Sequence, residues 1–221
     1  MAKIYCIANQ KGGVGKTTTA VNLAAALSQL SFNVLLVDLD PQGNATTGSG
    51  LEKNNLVQSV YEVLLDRADI KKVITHSTSG YDILGSNRKL AAAEEELLSA
   101  ARKELRLKTK LDEVSGQYDV IIIDCPPTLS ILTINAFCAA DGLIIPMTCE
   151  YYSLEGVSDL LLSIRAVREQ VNSGLVITGL LRVKFDPRIT LQREVSEQLS
   201  GYFGSSVFSS VIPTNVRLAE A

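Results

Sequence analysis

Residues Gln10-Lys11-Gly12-Gly13-Val14-Gly15-Lys16-Thr17-Thr18 stand between an apolar run, Ile4 to Ala8, and an apolar-patterned helix from Thr17 to Leu30. A strand, a glycine-rich loop and a helix N-terminus in that order leave few folds open. Such a loop aims backbone N–H groups at one point, where the positive end of the helix dipole favours an anion. Lys16 can reach terminal phosphate oxygens, and the Thr17 hydroxyl can ligate a magnesium ion. The loop departs from the usual G-x-x-x-x-G-K-[ST] pattern. Gln10 stands where the first glycine should be, and a second lysine, Lys11, opens the motif.

The rest of the chain extends the same alternation. Apolar, β-branched runs occur at Ile4–Ala8, Val34–Val37, Tyr81–Leu84, Val120–Ile123, Leu143–Pro146 and Val176–Val183. Helical patterns lie near 17–30, 88–114, 131–140, 153–172 and 190–203. Near-continuous apolar strands separated by helices predict an α/β fold: a mostly parallel β-sheet flanked by helices on both faces. No linker or repeat interrupts the 221 residues, so one domain over 1–221 is expected. A hydrophobic fraction of 46% and a charged fraction of 20% describe an ordinary soluble globular chain.

The net charge of −3 gives no overall basic excess to announce nucleic acid, although a local basic face remains open. Cys6, Cys125, Cys138 and Cys149 form no C-x-x-C pair and read as reduced, buried thiols, which suits a cytoplasmic location. There is no signal-peptide pattern and no apolar run near the ~20 residues that span a bilayer. His76, the one histidine, reads as a surface residue.

In parallel α/β sheets, ligands bind at the carboxyl ends of the strands. The second run ends in Val37-Asp38-Leu39-Asp40-Pro41-Gln42-Gly43-Asn44. On an extended segment, aspartates at i and i+2 point the same way, so Asp38 and Asp40 are expected to face the phosphate site. The same residues also suit a turn, since Asp-Pro and Gln-Gly are common turn formers. The fourth run ends in Val120-Ile121-Ile122-Ile123-Asp124-Cys125-Pro126-Pro127, and Asp124 would bind magnesium directly or through water. Lys11 has two readings from the residues alone: an exposed loop lysine, or a cation acting on a second, facing nucleotide site.

Lys11-Gly12-Gly13-Val14-Gly15-Lys16-Thr17-Thr18 resembles the deviant Walker A motif of the ParA/MinD ATPases. With Asn9-Gln10 before it, Thr19-Ala20-Val21-Asn22-Leu23 after it and the segment Val37 to Thr46, the chain is similar to the ParA/Soj branch, the DNA-segregation ATPases. Asp124-Cys125-Pro126-Pro127 matches the start of that family's switch II. Asp186-Pro187-Arg188 and Ile212 to Ala221 resemble its C-terminal motifs.

The resemblance implies a P-loop NTPase fold of the SIMIBI type, in three α/β/α layers, and a Mg2+-dependent ATPase that forms an ATP-bound sandwich homodimer. Lys11 would cross to the partner's phosphates, and Lys16 and Thr17 would hold the β/γ-phosphates and magnesium. The loop Gly12, Gly13, Val14, Gly15 and Thr18 would complete the cradle. Asp40 would orient the hydrolytic water, and Asp38, Asp40 and Asp124 would support the metal. Pro213 and Asn215 match positions that line the adenine pocket. The dimer would bind DNA without sequence preference through Arg188 and Arg217, which places the protein on the nucleoid. A ParB-like centromere-binding partner would stimulate hydrolysis.

Two departures stand out. Thr214 occupies a position where related sequences often carry arginine, so DNA contact is expected to lean on Arg182, Lys184, Arg193 and Arg217. The chain also ends at Ala221, inside a motif that relatives extend by about a strand and a helix. The alternatives are a MinD-like membrane-surface ATPase, which requires a basic amphipathic helix at the C-terminus, a ParA relative that positions a protein cargo, and a metal-cluster carrier, for which the cysteines are poorly placed.

Overall fold

The computed structural model of the chain describes residues 1–150 and 153–215, the side chains of 153–156 excepted. Among these residues the strands are β1 Lys3–Ile7, β2 Val34–Asp38, β3 Thr75–His76, β4 Asp82–Leu84, β5 Val120–Asp124, β6 Gly142–Thr148, β7 Val176–Phe185 and β8 Val207–Pro213. They form one sheet in the order β3-β4-β2-β5-β1-β6-β7-β8. Every neighbouring pair is parallel except β3 with β4. The helices are α1 Lys16–Gln29, α2 Asn44–Gly48, α3 Val60–Leu64, α4 Ile70–Val73, α5 Leu90–Leu98, α6 Arg106–Asp112, α7 Ile131–Ala139, α8 Ser153–Gln170 and α9 Thr190–Phe203.

The central strands are apolar because both their faces are covered. Leu35, Leu36, Val37, Ile121, Ile122 and Ile123 are all fully buried. On one face, Ala20 and Ala24 of α1 pack against Ile7, Leu36 and Ile122. On the other, Leu132 and Phe137 of α7 and Leu160 and Ile164 of α8 join Leu35, Ile121, Ile123 and Leu143. Each such Leu, Ile or Phe contributes about 1.5–3 kcal/mol on burial. The result is a three-layer α/β/α fold, as expected.

The helix expected over 88–114 is two helices. Leu90, Ala93 and Leu97 bury one face of α5, and Leu107 and Leu111 bury one face of α6. Ten residues separate Leu97 from Leu107, which at about 100° per residue leaves the second stripe roughly 80° off the first. The chain breaks at Arg102, with a left-handed φ of 51°. Asn135 of α7 then starts α6 anew: its Oδ1 accepts the Leu107 N–H at 3.0 Å, and its amide donates to the Lys103 carbonyl at 2.8 Å. Strands β3 and β8, and the short helices α2, α3 and α4, carry too little periodicity to be read from sequence.

Candidate functional site

The carboxyl ends of β1, β2, β5 and β7 open on one edge of the sheet, where the glycine-rich loop lies. Asn9, just past β1, pins the start of the loop. Its Nδ2 donates to the Pro146 carbonyl on β6 at 2.7 Å, and its Oδ1 accepts the Lys11 N–H at 3.0 Å. At the other end Gly15 caps α1 in the left-handed region, φ 74°, with no side-chain cap. A Cβ there would meet nothing within 4 Å, so glycine is required by conformation and the space over the loop is open. Lys16 is buried, its Nζ donating to the Lys11 carbonyl at 3.3 Å. Burial lowers its pKa, while the charges of Asp124 and Asp40 oppose that shift.

The three aspartates take three different roles. Asp38 is fully buried and turned toward α2: its Oδ2 accepts the Thr46 N–H and Oγ1–H, each at 2.7 Å, and its Oδ1 accepts the Asp40 N–H at 3.1 Å. This corrects the expectation that Asp38 and Asp40 face the phosphate site together. The strand ends at Asp38, and the chain then turns, the Gly43 N–H donating to the Asp40 carbonyl at 2.9 Å. Asp40 does reach the cleft, with Oδ1 accepting the Gln42 N–H at 2.8 Å and its carbonyl accepting the Ser86 Oγ–H at 2.8 Å.

Asp124 is fully buried, and neither carboxylate oxygen has a hydrogen-bond partner among the described residues. Burial first, and the charge of Asp38 second, raise its pKa well above the usual carboxylate range. The Thr17 hydroxyl and the Lys16 ammonium pull the other way, the hydroxyl close by but outside hydrogen-bond geometry. A buried carboxylate without a partner is costly, and a cation supplies what is missing. The group that suits this set is magnesium. Mg2+ is held by one or two carboxylates together with substrate phosphates and water, and needs no cage of protein ligands. Among the described residues no three His, Cys, Asp or Glu side chains form such a cage.

These residues surround a cleft of about 610 Å³, lined by Gly12, Gly13, Gly15, Lys16, Thr17, Thr18 and Asp40 and closed on the far side by Lys184, Pro213, Thr214 and Asn215. Val14 is buried under the loop. Lys11 does not line this cleft; its side chain is 38% exposed and forms an ion pair with Glu150 beyond β6. That contact holds the Glu150 carboxyl below its usual pKa. A second cavity of about 480 Å³ shares Pro213 and Thr214 and is lined by Phe185, Asp186 and Arg188.

The basic residues expected at a DNA face take different positions. The Arg188 side chain is 88% exposed, and its guanidinium donates to both oxygens of Asp186, from Nε at 2.9 Å and from Nη2 at 2.7 Å. Arg188 holds the Asp186 carboxyl down at about 2. Arg182 turns inward, donating to Ser196 Oγ and to the Phe208 carbonyl, each at 2.8 Å, and so ties β7 to α9 and β8. Lys184 points into the cleft, Arg193 is exposed on α9, and Arg217 lies outside the described residues. Asn9 and Thr46 lie in segments that carry the family resemblance but have no role assigned there, and Ser86 and Glu150 carry no local signal.

A family model described as an AAA domain matches residues 2–177. The chain is 50% identical, over 222 residues, to the sporulation initiation inhibitor protein Soj of Bacillus subtilis, a match that takes in 100% of this chain and 88% of that protein. The chain belongs to the ParA/Soj family of chromosome-partitioning ATPases. A second ParA/Soj relative, the chromosome partitioning protein ParA of Myxococcus xanthus, is 44% identical over 100% of this chain and 78% of its own length. The ParA/Soj chain also superposes on a Mycobacterium smegmatis structure described as cobyrinic acid a,c-diamide synthase with bound ADP and magnesium. The TM-score is 0.93 at 39% identity, over 97% of this chain and 88% of that one. The same M. smegmatis protein has been solved with an ATP analogue and magnesium.

Proposed function

We propose that this chain is a Mg2+-dependent partition ATPase that dimerises and binds DNA non-specifically with ATP, and is reset by hydrolysis. The observation that carries the reading is the unpartnered Asp124 carboxylate, buried beside Thr17 and Lys16 at the foot of a loop that bears a second lysine at its rim. Asp124 and the Thr17 hydroxyl would hold magnesium, which when bound neutralises phosphate charge. Lys16 and the loop amides would bind the β- and γ-phosphates. Asp40, held by Gln42 and Ser86, would orient the attacking water, and Pro213 and Asn215 would line the base pocket.

Lys11 lies outside its own cleft, so leaving Glu150 would carry its ammonium to the phosphates of a second copy. Arg188 and Arg217 would give the dimer its phosphate contacts, which non-specific DNA binding needs and which require no base readout. A ParB-like partner would trigger hydrolysis, and DNA binding would place the protein on the nucleoid. Support for ATP and Mg2+ comes from the ligands of the M. smegmatis protein. The partition names of relatives 50% and 44% identical favour DNA over a membrane-surface role. The four buried free thiols offer nothing to a metal-cluster carrier.

The test is DNA co-sedimentation of the chain with ATP and with ADP. Binding with ATP alone is expected, weakened and made less salt-dependent by Arg188→Ala. Equal binding with both nucleotides would refute the switch.

A further inference from the structure

Strand β7 carries one residue more than its regular pairing allows. Its register against β8 shifts between Val183 and Phe185. Residues at i and i+2 of a regular strand face the same side. Here Val183 packs into the core under α1, whereas Phe185 packs into the core on the opposite face. The residue between them, Lys184, absorbs the difference with a φ of 53°. That left-handed conformation is unfavourable for a side chain with a Cβ, and such residues gather at functional sites. The bulge throws the side chain over the strand end, where Nζ donates to the Gly13 carbonyl at 2.9 Å, across 171 residues of sequence. Lys184 thereby lines the same cleft as Lys16 and Asp40, and its charge is felt at Glu150, the partner of Lys11.

We propose that Lys184 is a third cation of the nucleotide site, a positioning residue that holds Gly13, and with it the loop amides, in the anion-binding form. Its ammonium also adds positive charge at the open side of the loop. This rests on the reading of the loop as a nucleoside-triphosphate site. Lys16 serves the loop from below, and Lys184 clamps it from β7. A triphosphate carries more charge than a diphosphate, so ATP gains more from Lys184 than ADP does.

The deciding variant is Lys184→Gly, which removes the ammonium and also relieves the left-handed backbone. A residue kept only for structure would leave nucleotide affinity alone, or change it in step with stability. The expected result is a thermal midpoint equal to or above that of the parental chain, together with an ATP Kd raised about three- to fivefold. The ADP Kd should rise less, and Lys184→Arg should retain ATP affinity. An unchanged ATP Kd in Lys184→Gly would overturn the inference, as would ATP and ADP affinities that fall together with the thermal midpoint. A parental chain that binds neither nucleotide would overturn the nucleotide reading itself, and this inference with it.

Discussion

Asp38 and Asp124 stand opposite each other on the paired strands β2 and β5, and among the described residues Asp38 accepts three hydrogen bonds while Asp124 accepts none. Asp38 is a structural carboxylate that anchors the start of α2, and Asp124 has the bare carboxylate that the proposed magnesium would satisfy. Conservative amide substitutions should therefore act in opposite directions.

Asp38→Asn puts an amide donor where a backbone N–H now donates, at a cost of roughly 1–3 kcal/mol. Asp124→Asn replaces a buried carboxyl that has no partner with a neutral amide, so the nucleotide-free protein should keep or gain stability, while magnesium should no longer tighten ATP binding. Urea unfolding without nucleotide measures the first effect and ATP titration with and without Mg2+ the second. If Asp124→Asn proves the more destabilising of the two, Asp124 has a protein partner after all.

The pH dependence follows from the same pair. Burial raises Asp38 to about 6 and Asp124 well above its ordinary 3.8. A carboxyl raised in the folded state contributes stability that is complete below its unfolded pKa and lost as pH rises through the folded one. The nucleotide-free protein should therefore become more stable on going from about pH 7.5 to about pH 5, and Asp124→Asn should flatten that slope. Denaturant midpoints across this range provide the measurement, and a midpoint that falls on acidification contradicts the assignment.

Lys11 cannot serve a second copy while it holds Glu150. Both side chains are substantially exposed, so the pair contributes about 0–1 kcal/mol. Glu150→Gln should accordingly favour the ATP-dependent dimer by up to about fivefold, which light scattering at graded protein concentration would detect. Lys11→Ala should leave ATP binding by the single chain intact and abolish the dimer. A Lys11→Ala protein that still dimerises with ATP would remove the case for a trans lysine.

Asp40 is fixed by backbone and side-chain contacts at the cleft wall. Asp40→Ala should bind ATP and dimerise but hydrolyse slowly, trapping the dimer, with a loss on the order of a hundredfold or more for a removed water-positioning group. Phosphate release in a single turnover, set beside gel filtration, separates the two steps. Hydrolysis at the parental rate rules out the assigned role.

The order strand, loop, helix at residues 4–30 is written locally, because the left-handed positions at Gly13 and Gly15 accept glycine at no steric cost and the flanking periodicities differ. The buried strands Val34–Val37 and Ile121–Ile123 are equally legible, since a strand covered on both faces must be apolar throughout. So is Asp124 as a strand-terminal aspartate near the loop. The break at Arg102 was less visible, because each half of 88–114 reads as helix and only the sheet decides where their stripes must point.

The rest required the folded chain. Asp38, Asp40 and Asp124 are the same residue type following the same kind of strand, and no local pattern says that Thr46 will satisfy one of them and leave another bare. Nor does a pattern bring Glu150 to Lys11, or Lys184 to Gly13, across stretches of 139 and 171 residues. The sequence alone specified the loop, the parallel sheet and the edge on which the site lies, because backbone conformation and hydrophobic period are properties of neighbours. Which charges are paired, buried or left waiting for a ligand was decided only by the tertiary structure, because a charge's energy depends on what long-range packing places within a few ångströms of it.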